Sequence, residues 1–416
     1  MLVFPVSKPQ GGQKNYTTTS GAKTIKPHSQ IVWCVDSPGW GGSEINLLRV
    51  WQLLCRSGDT VLLNRNASPQ LLEASSERAF TVIRQNSPNA ASHFISGLAK
   101  AVWLVLRLWR NDFVVWAHHS DSNRWLQFIL AATRRNFIVM EQLVPAAKSD
   151  FEKSRLSLPI KRFVVRHARY VVLNAHSQES HYRRLFNVPY IEILVIPNSR
   201  PVTEIRRRVD ALRQDKALRS QLGLPTGPII ACVGRLCAQK DQTTLIRALA
   251  LLNSGTGQPA SALLLGAGED GEKLQQHAAQ VVPGMVIFTG HQADPWPWLA
   301  AADVFVLPSL SEGLPGALIE AMAAGLPCVT TDIPGNRELV KHGQTGLLVP
   351  AQDPTALASA LRTLLNSSAE AQRLAMAGHA HVQQHYNEAS EVLLWKQLLD
   401  EIAGAADVKM AYKTNT

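Results

Sequence analysis

The sequence predicts an α/β protein of two domains in tandem, each built on a mostly parallel sheet with helices on both faces. Three observations predict it. The chain is 416 residues long, above the size at which a single core keeps growing, so two domains are the default. Short apolar runs alternate with helical patterns in both halves, which is how a parallel sheet with crossover helices reads. Glycine-containing loops follow several of these runs, at the strand ends where ligands bind in such sheets.

The stretch IVWCVDSPGWGGSEINLLRVWQLLCRSGDTVLL opens the first domain. It reads as a strand over 31–35, a glycine loop, a helix from Ser43 to about Arg56 and a strand over 60–63. Ser43 serves as N-cap, and the polar turn Ser57, Gly58, Asp59 ends the helix. Further strands are predicted at 113–117, 137–140, 170–173 and 193–196, and the charged segment RRRVDALRQDKALRS, 206–220, suits a surface helix close to a domain boundary. In the second half PIIACVG, SALLLGAG, MVIFTG, DVFVL (303–307) and PCVT (327–330) read as strands. DQTTLIRALALL, DGEKLQQHAAQ and 316–324 read as helices between them, followed by helices near 353–364, 368–385 and 388–403. The expected division is a disordered lead-in over 1–29, an N-terminal domain over 30–205, a C-terminal domain over 206–385, a final helix over 386–403 and a loose tail over 404–416.

With 46% hydrophobic and 18% charged residues, the chain is apolar enough to fill substantial cores. It has no run of eighteen uninterrupted apolar residues, so a spanning helix is not expected. Residues 1–29 lack the basic-then-apolar layout of a secretory signal. The five cysteines, Cys34, Cys55, Cys232, Cys237 and Cys328, are odd in number and scattered, which fits a reducing, cytoplasmic compartment rather than a disulfide framework. Cys232 and Cys237 alone do not make a metal site. Residues 1–220 hold 31 Lys/Arg against 15 Asp/Glu, a net +16, whereas 221–416 hold 11 against 17, a net −6. A basic first half attracts a phosphorylated substrate or an anionic membrane surface. Nothing resembling a zinc-finger spacing or an RNA-binding aromatic pattern points to nucleic acid. SGLAKAVWLVLRLWR, 96–110, carries Lys100, Arg107 and Arg110 among Trp and Leu. It reads either as a core helix or as a segment lying in a membrane interface, the latter helped by basic clusters at 134–135 and 161–169.

Three features of the second half could carry chemistry. Ser309, Ser311, Glu312, Gly313, Leu314, Pro315 and Gly316 lie between a strand and a helix. Glycine amides and a helix N-terminus there can hold a phosphate, or simply form a turn. Glu320 sits one turn into a helix otherwise made of Leu, Ile, Ala and Met, so it faces a polar ligand or loses hydration for nothing. A carboxylate accepting two hydroxyl hydrogen bonds suits a ribose or a sugar. Gly234, Arg235 and Lys240, in GRLCAQKD, place two cations at one cleft edge, which suits a diphosphate whose charge grows in the transition state.

The first half offers less. PGWGGSE at 38–44, with Gly41 and Gly42, is a flexible loop without the spacing of a dinucleotide fingerprint or a P-loop, which speaks against a dehydrogenase or an NTPase. His118 and His119 follow the strand FVVWA. Being adjacent they point in different directions, so one reaches the cleft as a sugar or phosphate contact, and no carboxylate or cysteine completes a metal set. Asn198, in VIPNS, ends another strand at comparable depth.

The array GRLCAQKDQTTLIRAL, LLLGAGEDGEKLQ, VIFTGHQADPWPWLAAADVFVLPSLSEGLPGALIEAMAAGLPCVTTDIPGNREL and TGLLVP, over roughly 228–385, resembles the second domain of retaining glycosyltransferases of family 4, group 1 glycosyltransferases of GT-B fold. The first domain resembles the family through PGWGGSE, His118 and His119, AHSQES at 175–180 and VIPNS at 195–199. The resemblance implies two Rossmann-like domains facing across a cleft, with the final helix crossing back to brace the first. It implies hexosyl transfer from a nucleotide-diphosphate sugar, with retention of configuration and without a bound metal or other cofactor. Glu312 then stands near the transferred sugar, Glu320 holds the ribose, Arg235 and Lys240 neutralise the diphosphate, and Gly313 to Gly316 present amides to sugar and pyrophosphate. Gly41 and Gly42 belong to the loop that closes over the donor, and His119, or else His118, stands beside the donor sugar. Asp241 replaces the glycine many members carry after the lysine, a departure that either changes donor choice or only caps the next helix. The acceptor expected is a glycan or lipid-linked glycan of cell-envelope or exopolysaccharide synthesis, met at the inner face of the membrane. A nucleotide-sugar epimerase and a non-catalytic binding protein are the alternatives.

Overall fold

The computed structural model describes residues 31–35, 50, 54, 60–63, 81–84, 106, 113–117, 124–133, 137–141, 157–188, 191–255 and 258–402. The expected lead-in, the loop with Gly41 and Gly42, most of 96–110, and His118 and His119 lie outside them. The first sheet has seven parallel strands: β1 (Ile31–Val35), β2 (Thr60–Leu63), β3 (Thr81–Arg84), β4 (Phe113–Ala117), β5 (Phe137–Glu141), β6 (Tyr170–Leu173) and β7 (Ile193–Val195), in the order β3-β2-β1-β4-β5-β6-β7. The second has six, β8 (Ile229–Val233), β9 (Ser261–Leu265), β10 (Val286–Gly290), β11 (Val304–Leu307), β12 (Cys328–Thr331) and β13 (Leu347–Val349), in the order β10-β9-β8-β11-β12-β13. Both therefore run 3-2-1-4-5-6 from their own first strand, the first sheet adding a seventh strand after the sixth, and this is the doubly wound order, with the direction of winding reversing between the first and fourth strands. Among the strands whose burial is described, the apolar residues of β5, β6, β8, β9, β11 and β12 are buried on both faces almost throughout, as parallel strands covered by helices must be.

In the first domain α1 (Arg124–Ala132), α2 (Ser157–His167) and α3 (Glu179–Phe186) pack around Phe137, Val139, Val171 and Leu173. Basic residues of this half have local work. Arg162 donates to Leu185 O at 3.1 Å and Arg166 to Asn187 O at 3.2 Å, so both engage carbonyls at the end of α3, where cations are favoured. Lys161 pairs at 2.7 Å with Glu141, and both are buried.

The charged segment expected as a helix over 206–220 begins earlier, as α4 (Val202–Arg213), and a separate turn of helix covers Leu218–Gln221. Val202, Ile205 and Val209 recur at helical spacing and are buried in the core under the second sheet, so only the opposite face is solvated. The break falls at Asp215, whose carboxylate accepts from Ala217 N at 2.8 Å. The longer helices of the second domain are α5 (Gln242–Asn253), α6 (Gly271–Val281), α7 (Gly316–Ala323), α8 (Pro334–Leu339), α9 (Pro354–Asn366) and α10 (Ser368–His385), and a five-residue helix covers Trp296–Ala300. Asp353 caps α9 by accepting from Ala356 N at 2.9 Å, with proline in the first turn, where its missing N–H costs nothing.

The chain passes between the domains twice. Arg200, after β7, donates its N–H to Tyr386 O at 2.9 Å and bridges in parallel to Asn387 at the end of α10. The last helix, α11 (Glu388–Ile402), then lies on the first domain. Glu391, itself buried, accepts from Ser199 N at 3.0 Å and Ser199 Oγ at 2.5 Å, and Glu401 accepts from Tyr170 OH at 2.6 Å. A further tie runs from Ser177 N to Glu338 of α8.

His381, on α10, is a titrating weak point. Burial, with help from His385 beside it, holds its imidazole below the ordinary value, and its Nε2 is buried without a partner. A group whose folded pKa is depressed supports the fold above its unfolded pKa and loses that support as pH falls through the folded value. The melting temperature of wild type is expected to drop below about pH 6.5 more steeply than that of His381→Gln. Parallel melting curves of the two from pH 8 to 5 would refute this assignment.

Candidate functional site

The site forms where the second sheet reverses its winding. β8 and β11 lie side by side, with Ile230 opposite Val304 and Ala231 opposite Phe305, so the loops after Val233 and Leu307 leave the sheet at one edge. In the first loop, Gly234 N donates to Leu265 O at 3.0 Å and Leu236 N to Ala267 O at 3.1 Å, which lays the loop against the end of β9. Gly268 is required there, because any Cβ would run into the backbone of Leu236. A 3-10 turn, Ala238–Lys240, follows. Buried Gln242 donates to Arg235 O at 2.9 Å and fixes the strand exit from below.

The second loop is joined to the first. Leu310 N donates to Gln239 O and Gln239 Nε2 to Ser311 O, each at 2.8 Å. Between these bonds Lys240 Nζ meets Glu312 Oε1 at 2.5 Å, and buried Ser309 donates its hydroxyl to the same oxygen at 2.6 Å. The carboxylate side chain is 8% exposed and the lysine 19%, so the pair is largely withdrawn from water. Leu314 plugs the loop into the core beside Leu318 and Met322. Pro315 O accepts from Leu318 N at 3.1 Å and Ile319 N at 3.2 Å, which leaves the amides of Gly316 and Ala317 ahead of the first intrahelical bonds of α7. Arg235 is exposed at the rim, its pKa raised chiefly by its hydrogen bond to Cys237.

A buried layer under the loop sets its height. Thr330 Oγ1 donates to Leu307 O at 2.8 Å and Thr331 Oγ1 to Ser309 O at 2.5 Å. Fully buried Asn336 donates Nδ2 to both hydroxyl oxygens, at 2.6 and 3.1 Å, and to Thr331 O at 2.9 Å. Since each threonine hydroxyl gives its proton to a carbonyl, the amide nitrogen must be the donor to both. Gly335 rests directly on the Glu312 and Gly313 carbonyls, where no side chain fits.

Glu320 lies one turn along α7 and accepts from Arg200 Nε at 2.5 Å. The open question of Asp241 has a structural answer: it is the N-cap of α5, in the left-handed region at φ 45°, and accepts from Thr244 Oγ1 at 2.7 Å and Thr244 N at 3.4 Å. Asn198 is buried just after β7. The structure thus brings together Lys240 and Glu312, puts Gly234, Arg235 and Gly313 to Gly316 around them, and ties Glu320 to the first domain. In the first sheet, β1 and β4 are neighbours ending level at Val35 and Ala117, the strands after which Gly41, Gly42, His118 and His119 follow in sequence. Among the described residues no group of three or more His, Cys, Asp or Glu is placed to hold a metal ion, and no helix is long and apolar enough to cross a membrane. Sequence reasoning missed Arg200, Gly335 and Asn336. Gly335 and Asn336 stand inside the quoted PGNREL, where a glycine and an amide so soon after a buried strand were the available signal.

Residues 227–367 match the family model described as Glycosyl transferases group 1. Over 184 residues the chain is 34% identical to the lipopolysaccharide core biosynthesis glycosyltransferase LpsE of Rhizobium meliloti, covering 44% of this chain and 52% of that one. It is 27% identical over 361 residues to the 2-deoxystreptamine N-acetyl-D-glucosaminyltransferase of Streptomyces fradiae, covering 79% of this chain and 83% of that one. The chain therefore spans about half the length of the first relative and over four fifths of the second. HepE of Anabaena, solved in complex with UDP, superposes with a TM-score of 0.73 at 20% identity, over 90% of this chain and all of that one. The shared fold is GT-B, two Rossmann-like domains, and the match to the group 1 glycosyltransferase model is confined to residues 227–367, in the second of them.

Proposed function

We propose that the chain transfers a sugar, with retention of configuration, from a nucleotide-diphosphate sugar to a glycan or lipid-linked glycan acceptor in cell-envelope or exopolysaccharide synthesis. The observation that carries this reading is the Lys240–Glu312 pair, held by Ser309 beside the N-terminus of α7 at the switch point of the second sheet. That arrangement sets a cation, free amides and a helix dipole around one small volume, which is what a departing diphosphate needs as its charge grows. Arg235, exposed at the rim, adds a second cation. Glu312, freed from Lys240 by the incoming diphosphate, accepts from sugar hydroxyls, and Glu320 accepts from the ribose. Gly41, Gly42 and His119 or His118 complete the donor side from the first domain. The similarity to LpsE supports a glycan acceptor. HepE's complex with UDP makes uracil the first base to try. The net +16 of residues 1–220 supports an anionic acceptor or membrane surface.

The test is binding and slow hydrolysis across UDP-, GDP- and ADP-sugars, with the anomeric configuration of the released or transferred sugar read by NMR. One base is expected to be selected, Glu320→Ala and Arg235→Ala are each expected to weaken its binding about 10-fold or more, and the sugar is expected to keep its configuration. Absence of binding by any of the three would overturn the donor reading, and an isomerised donor with no transfer would favour the epimerase. Inversion would overturn retention alone.

A further inference from the structure

Glu338 stands outside the donor-side residues derived so far, yet through it the first domain holds the shelf beneath them. That shelf is α8. Its Gly335 lies against the Glu312 and Gly313 carbonyls, and its Asn336 binds the two threonine hydroxyls under the loop. Glu338 follows within the same six-residue helix and is gripped from two sides. Its Oε1 accepts from Ser177 N at 2.5 Å, across 161 positions of sequence. Ser177 belongs to the 3-10 turn His176–Gln178, which follows β6 of the first sheet. The Glu338 carbonyl accepts from Tyr386 OH at 3.1 Å, and the Tyr386 carbonyl in turn holds Arg200 N at the crossing.

A helix this short is not held in place by its own hydrogen bonds, so tertiary contacts fix it. Buried Asn336 and Leu339 anchor α8 to the second domain, and the Ser177–Glu338 bond ties it to the first. The rest of that seam is poorly matched. Among the described residues, Ser177 Oγ and both ends of the Gln178 amide are buried with no hydrogen-bond partner. Each would gain one from water if turn and helix parted, so the seam carries a cost that favours parting. A carboxylate accepting from a backbone amide makes a charge-assisted bond, about twice as strong as a neutral one, which opposes that cost. We propose that Glu338 is a positioning residue for the donor loop: by binding Ser177 N it keeps α8 seated against the first domain. Through Gly335 it thereby sets the height at which Glu312 and the loop amides meet the donor, the reading on which this inference rests. The geometry of a second-domain site then depends on one backbone amide of the first.

The experiment is hydrogen exchange read by mass spectrometry on wild type, Glu338→Ala, Glu338→Gln, Tyr386→Phe and Gln178→Leu. Single-turnover hydrolysis of the nucleotide sugar that wild type selects among UDP-, GDP- and ADP-sugars is measured beside it, and thermal melts establish folding. The reporting peptides cover the donor loop, whose bonded amides include those of Leu310, Leu318 and Ile319. Glu338→Ala is expected to speed their exchange about 10-fold or more while β9, in the same domain, exchanges as in wild type. Hydrolysis should slow about 10-fold as the loop loses its height. Glu338→Gln keeps an acceptor for Ser177 N and should bring both readouts back to within about threefold of wild type. Tyr386→Phe loses a neutral bond and should loosen the loop by less than Glu338→Ala. Gln178→Leu, which removes the unpaired amide, should slow exchange of the turn. An unchanged loop in Glu338→Ala, or exchange raised equally in β9, would overturn the proposal and leave α8 seated by Asn336 and Leu339 alone. Glu338→Gln behaving like Glu338→Ala would overturn it by assigning the effect to charge, and faster exchange in Gln178→Leu by showing a seam with no tendency to part. If Glu338→Ala loosens the loop but wild type hydrolyses none of the nucleotide sugars, the donor reading falls and the seating of the loop by Glu338 stands.

Discussion

Lys240→Ala is expected to cut sugar transfer by about 100-fold or more, the scale set by removal of one preorganised group facing transition-state charge. The same substitution should destabilise the fold by about 3 kcal/mol, because it leaves the Glu312 carboxylate largely buried with the Ser309 hydroxyl still donating but no cation. The two effects separate in the double variant. Removing both charges in Lys240→Ala/Glu312→Ala should restore most of the melting temperature, since no unpaired charge remains, while transfer stays lost. Single-turnover rates and melting curves on the three variants decide the matter. A Lys240→Ala enzyme that transfers within about threefold of wild type, well inside the effect expected from such a group, would show that the pair only closes a gap between two loops.

The second large effect is expected from the smallest possible change, Gly335→Ala. The added methyl would overlap Gly313 O and stand 2.5 Å from Glu312 O and 2.9 Å from Glu312 C, all of them backbone atoms. Neither side can rotate away, so the peptide between Glu312 and Gly313 must shift and carry the carboxylate off Lys240. Overpacking of this kind costs about 1–3 kcal/mol, and misplacing a catalytic group by about 1 Å can cost on the order of 100-fold in rate. The expected signature is a fall in kcat of about 10-fold or more with a folded protein and a lowered melting temperature. An unchanged kcat would mean the loop reaches its working height without α8.

What the sequence revealed follows from the range of the interactions involved. The central strands were legible because burial on both faces demands unbroken Val, Ile and Leu, as in IIACV and VFVL. β3 and β13 were not foreseen as strands. Both are sheet edges of only four and three residues, TVIR and LLV, too short for an apolar pattern to stand out from the loop around it. The glycines and charges of the donor-side loops were visible as residue types, but their pairing was not. Lys240 and Glu312 are 72 positions apart and meet only because β8 and β11 become neighbours. Arg200 and Glu320 are separated by 120 positions and by a domain crossing, which no local pattern encodes. Asp241 was ambiguous from sequence, since capping needs a hydrogen-bond geometry that a substitution for glycine does not reveal.

The two passages between the domains are tied to each other by Arg200 N on Tyr386 O and by Ser199 on Glu391. Mechanically this makes them a two-stranded cable rather than a tether and a tail. A single peptide bond cut in one passage would leave the other to join the halves. Arg200 carries one of these ties and also donates to Glu320, so a single residue joins the cable to α7.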